Sequence, residues 1–343
     1  MYGICSHRTK FFRRSATGST PSSRAARARG RLYGRGIACY VENTGSPKLS
    51  ETVQLTAHAD GAVTVVSGTQ SCGQGVVTSY TQIVADTLGV QPEAVRVVQG
   101  DTDIAKTGGG AGGSRTLQVG GSAVLAGTHA LIEVGRLLAA KALEAAPVDI
   151  EFRAGRFRIV GTDRSIGLAD LAARQPEKKL YCEHTETVKG QTWPNGCQVC
   201  EVEIDPETGA VRVARHTAVD DIGSVMNPLT AEGQMHGGIA QGLGQALVEH
   251  SVYDPTGQLL SGSFMDYAMP RADLLPDLES RFDQSVPSQL NPLGAKGVGE
   301  AGCHGATPAA VNAVLDALAE RGVTEIDMPV TPERVWRALQ GRG

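Results

Sequence analysis

Asn291-Pro292-Leu293-Gly294-Ala295-Lys296-Gly297-Val298-Gly299-Glu300-Ala301-Gly302-Cys303-His304-Gly305 gathers five glycines around one carboxylate. Glycine at this density costs backbone entropy, so it is expected where the chain takes a positive φ or comes close against another group. A carboxylate on such a backbone can stand against a bound group with little bulk between. Alone, the run also reads as a surface loop with one solvated glutamate. The rest of the chain decides between the two.

Working outward, Thr307-Pro308 has the form of an N-cap followed by a first-turn proline, which predicts a helix from there to Gly322. Thr331-Pro332 opens the last helix in the same way. Upstream, Pro228 to Glu249 reads as a helix with a small-residue face of Gly233, Gly237, Gly238, Gly242 and Gly244. The stretches Cys197–Ile204 and Ala210–Val219 read as strands around an Asp205–Gly209 turn, and a short strand is expected near 279–284. In the first part, Ile37–Glu42 reads as a strand. The alternation in Thr52–Ala57 and Ala62–Val66 predicts a hairpin about Asp60-Gly61. Val77, Tyr80, Val84 and Leu88 keep helical spacing behind Gly73-Gln74-Gly75, and Gly89 ends that helix. Val95–Val98 is a short strand, a long Ala-rich helix covers roughly 115–145, and Val148–Val160 is a second hairpin. Gly167–Ala173 is a short helix, and Pro176–Gly190 reads as connecting chain. This order predicts an α+β fold of two lobes, residues 31–190 and 191–343, each a mixed β-sheet covered by helices.

The 343 residues suffice for a sizeable core, and no apolar run reaches the length of a membrane-spanning helix, so the chain reads as soluble. Charge is uneven. Residues 1–36 hold nine Arg or Lys and no acid, while the other 307 hold 23 basic and 36 acidic residues. An acidic body argues against broad nucleic-acid binding. Residues 1–30 are basic, rich in Ser, Thr, Ala and Gly, and read as disordered. The seven cysteines are odd in number in a long chain, which argues for reduced thiols and a cytoplasmic protein rather than a disulfide framework.

Gly108 to Gly113 fits G-x-G-x-x-G between a strand and a helix. A dinucleotide fingerprint needs an acid about 20 residues on at a strand end, and Glu133 lies inside the predicted long helix instead. The loop still offers amides at a helix N-terminus, with Ser114 and Arg115 beside them, as a phosphate seat. Gly73-Gln74-Gly75 places an amide side chain on accessible backbone. Cys197 and Cys200 lie on a strand and face opposite sides, so they make no zinc pair. His216, His236, His250 and His304 have no ligand spacing. No G-x-S-x-G elbow or P-loop lysine is present.

Together, GQGVVTSYTQIVADTLGV (73–90), GDTDIAKTGGGAGGSRT (100–116), PNGCQVCEVEIDPETG (194–209), EGQMHGGIAQGLGQAL (232–247), SFMDYAMPRAD (263–273) and NPLGAKGVGEAG (291–302) resemble the molybdopterin-binding large subunit of the xanthine dehydrogenase/aldehyde oxidase/carbon monoxide dehydrogenase family. The resemblance runs from about residue 31 to the end. It implies a molybdopterin cofactor, usually the cytosine dinucleotide form in bacterial members, whose molybdenum is held by the pterin. It also implies partner subunits carrying iron-sulfur clusters and FAD. Carried onto this chain, Gln74 and Gln241 would hydrogen-bond the cofactor, with Gly73 and Gly75 beside Gln74. Gly110, Gly113, Ser114 and Arg115 would seat its pyrophosphate. Glu300 would be the catalytic glutamate beside the metal, a general base in oxidative hydroxylation of an aldehyde, purine or N-heterocycle, or in carbon monoxide oxidation. In a closed glycine-lined pocket, desolvation would raise its pKa. Family subunits are about twice as long, so the chain is expected to be a C-terminal portion that works with an upstream molybdenum-binding half. A non-catalytic remnant or assembly module, and a dinucleotide-binding protein, are the alternatives.

Overall fold

The computed structural model describes residues 21–45 and 49–341. Two four-stranded mixed sheets, each covered by helices, build the α+β architecture that the element order predicts. The first sheet runs β4-β3-β2-β8. Strand β2 (Ser50–His58) and strand β3 (Val63–Ser67) form the expected hairpin, with Gly61 at φ +90° in its turn. Strand β4 (Val95–Val98) lies parallel to β3. Val53, Leu55 and Ala57 point from β2 into a core shared with α2 (Val76–Leu88) and α3 (Ser122–Leu143). A one-turn π-helix, Thr116–Gly121, precedes α3. Together they are long and apolar enough, by length and composition alone, to cross a membrane. Here Ala123, Val124, Leu131 and Ala139 are fully buried in the lobe core. Three short strands, β5 (Ile150–Arg153), β6 (Arg156–Ile159) and β7 (Ser165–Gly167), and α4 (Leu168–Ala173) close one end.

Residues 176–190 depart from the expected connection. Lys179–Thr187 is strand β8, antiparallel to β2. Leu180 and Cys182 are its buried side. The other face is made of polar cross-strand pairs: Thr52 and Thr185 hydroxyls lie 2.8 Å apart, and Gln54 Nε2 donates to Glu183 at 2.9 Å. The outer face of β8 is Lys179, Tyr181, Glu183, Thr185 and Thr187, so strand-favouring Thr and Tyr alternate there with charged residues that strands ordinarily avoid, and only Leu180 and Cys182 form an apolar side.

The second sheet runs β1-β9-β10-β11. Strand β9 (Asn195–Ile204) pairs antiparallel with both β1 (Leu32–Val41) and β10 (Val211–Asp221), and β11 (Leu278–Phe282) is parallel to β10. Strand β1 therefore belongs to the second sheet, whereas the element order places residues 31–190 in the first lobe. Backbone pairing, which composition does not encode, sets this exchange. Part of the basic segment 1–30 is also ordered: Pro21–Ala28 is helix α1, with Ala26 fully buried. Residues 1–20 lie outside the described residues.

Helices α5 (Pro228–Leu247) and α6 (Ala301–Ala319) cover this sheet. Helix α6 begins six residues before the Thr307-Pro308 signal, and Pro308 sits inside it. The Thr307 hydroxyl does not cap; it donates to the carbonyls of Gly242 and Cys303 at 3.1 and 3.2 Å. Packing fixes the earlier start. A Cβ on Gly302 would lie 2.5 Å from the Met235 carbonyl oxygen, so the first turn of α6 rests directly on α5. On the sheet side, a Cβ on Gly36 would lie 2.1 Å from the Ala309 carbonyl oxygen. Such contact outweighs the roughly 3 kcal/mol penalty of an interior proline. The final helix, α7 (Pro332–Leu339), opens on the Thr331 cap as expected.

These contacts predict opposite responses at two glycines. Gly36→Val should cost about 3 kcal/mol or more, because backbone cannot yield to the new atoms. Gly237→Ala, where an added Cβ meets nothing within 4 Å, should stabilise α5 by roughly 0.5–1 kcal/mol. Urea unfolding of both variants checks the pair.

Candidate functional site

Three glycine-bearing turns converge beside α5: Gln70–Gly75 before α2, Gly108–Arg115 before the π turn, and Gly294–Glu300 before α6. Between them lies a cleft of about 100 Å³ lined by Gln74, Ser114, Leu117, Thr230, Gln234 and Gly299, among others.

The glycine loop is pinned from beneath. Arg115 is 1% exposed; its Nη1 donates to Glu51 Oε2 at 2.8 Å and to the Gly110 carbonyl at 3.2 Å, and its Nη2 donates to the Ser50 carbonyl at 3.0 Å. Glu51 Oε2 also accepts from the Gly109 amide at 3.1 Å. The Arg115 guanidinium thus faces the core as a strut and does not stand beside the loop amides as an anion donor. Above it, Gly110, Gly113 and Ser114 take φ values of +62°, +56° and +52°. Among the described residues, no backbone acceptor pairs with the amides of Ala111, Gly112, Gly113 or Ser114.

The Glu300 loop is built, not loose. Asn291 Nδ2 donates to the Ala295 carbonyl at 2.8 Å, and Lys296 N donates to the Ile222 carbonyl at 2.8 Å. The Lys296 ammonium pairs with buried Asp221 at 2.7 Å. The Gly297 amide donates to the Thr44 and Thr192 hydroxyls, each at 3.3 Å; these hydroxyls lie 2.7 Å apart, and Thr192 donates to Gln118 Oε1 at 2.7 Å. A Cβ on Gly297 would sit 2.6 Å from Ser114 Cβ, and one on Gly299 would sit 3.0 Å from Ser114 Oγ. Only glycine allows this loop to lie on the glycine loop. The run therefore brings Glu300 and Ser114 to one place.

Glu300 stands at the N-cap of α6, and its side chain is exposed, without a capping bond. The expected closed pocket around it is open in this chain. Its carbonyl accepts from His304 Nδ1 at 2.8 Å and from Cys303 Sγ at 3.1 Å. Beneath the turn, Gln198 Nε2 donates to the Gly302 carbonyl at 3.2 Å, which leaves its Oε1 to accept from His216 Nε2 at 2.9 Å. Burial pulls His216 down to about 4, so it is a neutral core histidine.

Gln74 lines the cleft, but its amide is engaged within its own turn. Oε1 accepts from Cys72 N at 2.7 Å and Nε2 donates to the Gln70 carbonyl at 2.9 Å. Gly73 and Gly75 take φ +95° and +80°, and a Cβ on Gly75 would meet Thr230 at 2.6 Å. Gln241 is exposed on α5 and is not part of the cleft lining. Gln234, seven residues earlier on the same helical face, lines the cleft instead, about 10 Å nearer the helix start. The repeat of glutamine at that interval was the signal available for it.

Glu42 was not singled out in the sequence. It follows β1, is 4% exposed, and accepts from Ser114 Oγ at 3.3 Å. Its other oxygen faces His304 Nδ1 at 3.9 Å. Burial, against the pull of His304 and with a smaller push from Glu300, raises this carboxyl to about 6. The folded state then holds the proton more tightly than the unfolded chain. That contribution to stability is full below the ordinary carboxylate range and is lost as pH rises through about 6. Glu42→Gln, which does not ionise, should gain about 2 kcal/mol of stability relative to the unsubstituted chain between pH 4 and 7.5. Urea titrations at the two pH values check this; a pH-independent difference contradicts it.

A family model described as the molybdopterin cofactor-binding domain matches residues 14–276. The gamma subunit of the 6-hydroxypseudooxynicotine dehydrogenase complex of Paenarthrobacter nicotinovorans is 37% identical over 93% of this chain, and the carbon monoxide dehydrogenase large chain of Hydrogenophaga pseudoflava is 35% identical over 90%. In each case the chain spans 41% of the relative's length. The crystal structure of a Cu,Mo-CO dehydrogenase superposes with a TM-score of 0.84 at 30% identity, covering 99% of this chain and 44% of that one. With most of its length matched, its glycine loop and Glu300 turn joined at one cleft, and its fold shared, the chain belongs to the molybdopterin cofactor-binding domain family.

Proposed function

We propose that this chain is the C-terminal cofactor-binding portion of a molybdenum hydroxylase, and that it works with an upstream molybdenum-binding half and with iron-sulfur and FAD subunits. The observation that carries the reading is the junction of the glycine loop with the Glu300 turn, sealed by Gly297 and Gly299 against Ser114. The residues present fit such a group. Four loop amides without a backbone acceptor among the described residues suit a pyrophosphate, which favours the cytosine dinucleotide form of the cofactor. The adjoining cleft, with Val76, Leu117 and Val298 in its wall, suits a flat ring system.

When bound, the molybdenum cofactor supplies two-electron redox chemistry at the metal. The chain's own residues do the rest. The amides of Ala111 to Ser114 would hold the pyrophosphate. Gln74 stands where its carboxamide can exchange its turn contacts for cofactor contacts, and Gln234 faces the same cleft. Glu300, free of any capping bond, would take a proton at its carboxylate from the oxygen nucleophile, which derives from water. Exposure of Glu300 here means that the upstream half would exclude water from it; a site open to solvent lacks the preorganisation that makes such a base effective. The substrate class spans carbon monoxide, aldehydes, purines and N-heterocycles, since selection would fall to residues of that other half.

The test is Glu300→Gln in a complex reconstituted with the upstream half. Molybdenum content should be unchanged, and kcat should fall about 10²–10⁴-fold, as for removal of a general base. Turnover at the unsubstituted rate would remove Glu300 from this role.

A further inference from the structure

Glu42 lies between Ser114 of the glycine loop and His304 in the first turn of α6, and the proposed chemistry does not use it. Its backbone is fixed where β1 ends, its amide donating to the Pro194 carbonyl at 3.0 Å. Its carboxyl is buried, with Oε1 taking the Ser114 hydroxyl at 3.3 Å and Oε2 making no hydrogen bond among the described residues. An orphan carboxylate oxygen in a buried place is costly unless a proton or a cation meets it. The group in front of it is His304, 3.9 Å away. The same Nδ1 that faces Glu42 donates to the Glu300 carbonyl oxygen at 2.8 Å, and the ring stacks on Tyr40 at a centroid distance of 6.0 Å. Tyr40 is itself anchored by donating to Asp220 at 2.8 Å.

We propose that Glu42 is a positioning residue of this site, joining Ser114 of the glycine loop to His304 in the first turn of α6, so that the anion seat and the turn bearing Glu300 are set together. The inference rests on the reading of Glu300 as the base. The groups facing Glu42 are Ser114 from the glycine loop and His304, Cys303 and Glu300 from α6 and its cap. Through them, a change of charge at Glu300 is felt at Glu42. Burial sets the carboxyl at about 6, His304 and Ser114 draw it down, and Glu300 pushes it up. By reciprocity, the ionisation of Glu42 acts back on Glu300 and on whatever anion occupies the loop.

The experiment follows the Glu42 carboxyl by ¹³C NMR in the full chain across pH 4 to 8. His304→Gln and Ser114→Gly, the latter suited to a positive φ, should each move its titration upward; Glu300→Gln should move it downward. In the reconstituted complex, Glu42→Gln should keep molybdenum, lower kcat by about 10- to 100-fold, and remove an acid-side limb near pH 6 from the kcat profile. A Glu42 titration unmoved by all three substitutions overturns the proposal, as does a Glu42→Gln enzyme with unchanged kcat and pH profile. The titration is read in the chain alone, so it stands or falls separately from the effect of Glu300→Gln on turnover.

Discussion

The Arg115–Glu51 ion pair, 2.8 Å long and shut away from water beneath the glycine loop, is the interaction on which the site depends. Glu51 sits on β2, the central hairpin strand of the first sheet, in a face otherwise filled by Val53, Leu55 and Ala57. A charge placed there must be matched, and Arg115 matches it while also binding the Ser50 and Gly110 carbonyls. Removing one partner of such a pair costs about 3–5 kcal/mol, because the other is left buried and alone. In exchange the loop gains a fixed shape: three left-handed residues, Gly110, Gly113 and Ser114, with the Gly110 amide donating to the Gly68 carbonyl at 3.1 Å. Everything above the loop is registered to it. Gly45 N donates to the Gly113 carbonyl at 2.8 Å, and Gly297 lies against Ser114.

The two lobes are thereby joined at one seam. Strand β1 runs through the second sheet and then delivers Glu42 and Gly45 to the glycine loop and Thr44 to the Glu300 turn. The chain leaves the first sheet through β8 and returns Thr192 to the same hydroxyl cluster before entering β9. Gln118, Thr192, Thr44 and the Gly297 amide form a buried polar network that ties α3's lead-in, both crossover segments and the Glu300 turn. Buried networks of this kind specify one arrangement because a partly satisfied alternative is expensive. The site is therefore a product of the seam and not of either lobe.

Much of this was legible in the sequence. The hairpin about Asp60-Gly61, the glycine stops and the α5 pattern are local signals, and each element formed where its residues pointed. The glycines of the Glu300 run were correctly read as close-approach positions. Other features were not legible because tertiary contacts decided them. The Thr307-Pro308 signal lost to the packing of Gly302 and Gly305, which draws α6 back to Ala301. β8 is carried by pairing with β2 in spite of its polar outer face. Arg115 looked like an anion donor because it adjoins a glycine loop; the acid that claims it is 64 residues away. Glu42 gave no signal, since a glutamate after a strand ordinarily points to water.

The chain spans about two fifths of the length of the curated relatives it matches. The central claim is that the joined glycine loop and Glu300 turn receive a molybdenum cofactor shared with an upstream half. Elemental mass spectrometry of the chain purified alone and co-expressed with that half tests it most directly. The account predicts molybdenum near one per chain in the co-expressed complex and little in the chain alone. Absence of molybdenum from both would contradict it, and would leave a fold that keeps the seat without its occupant.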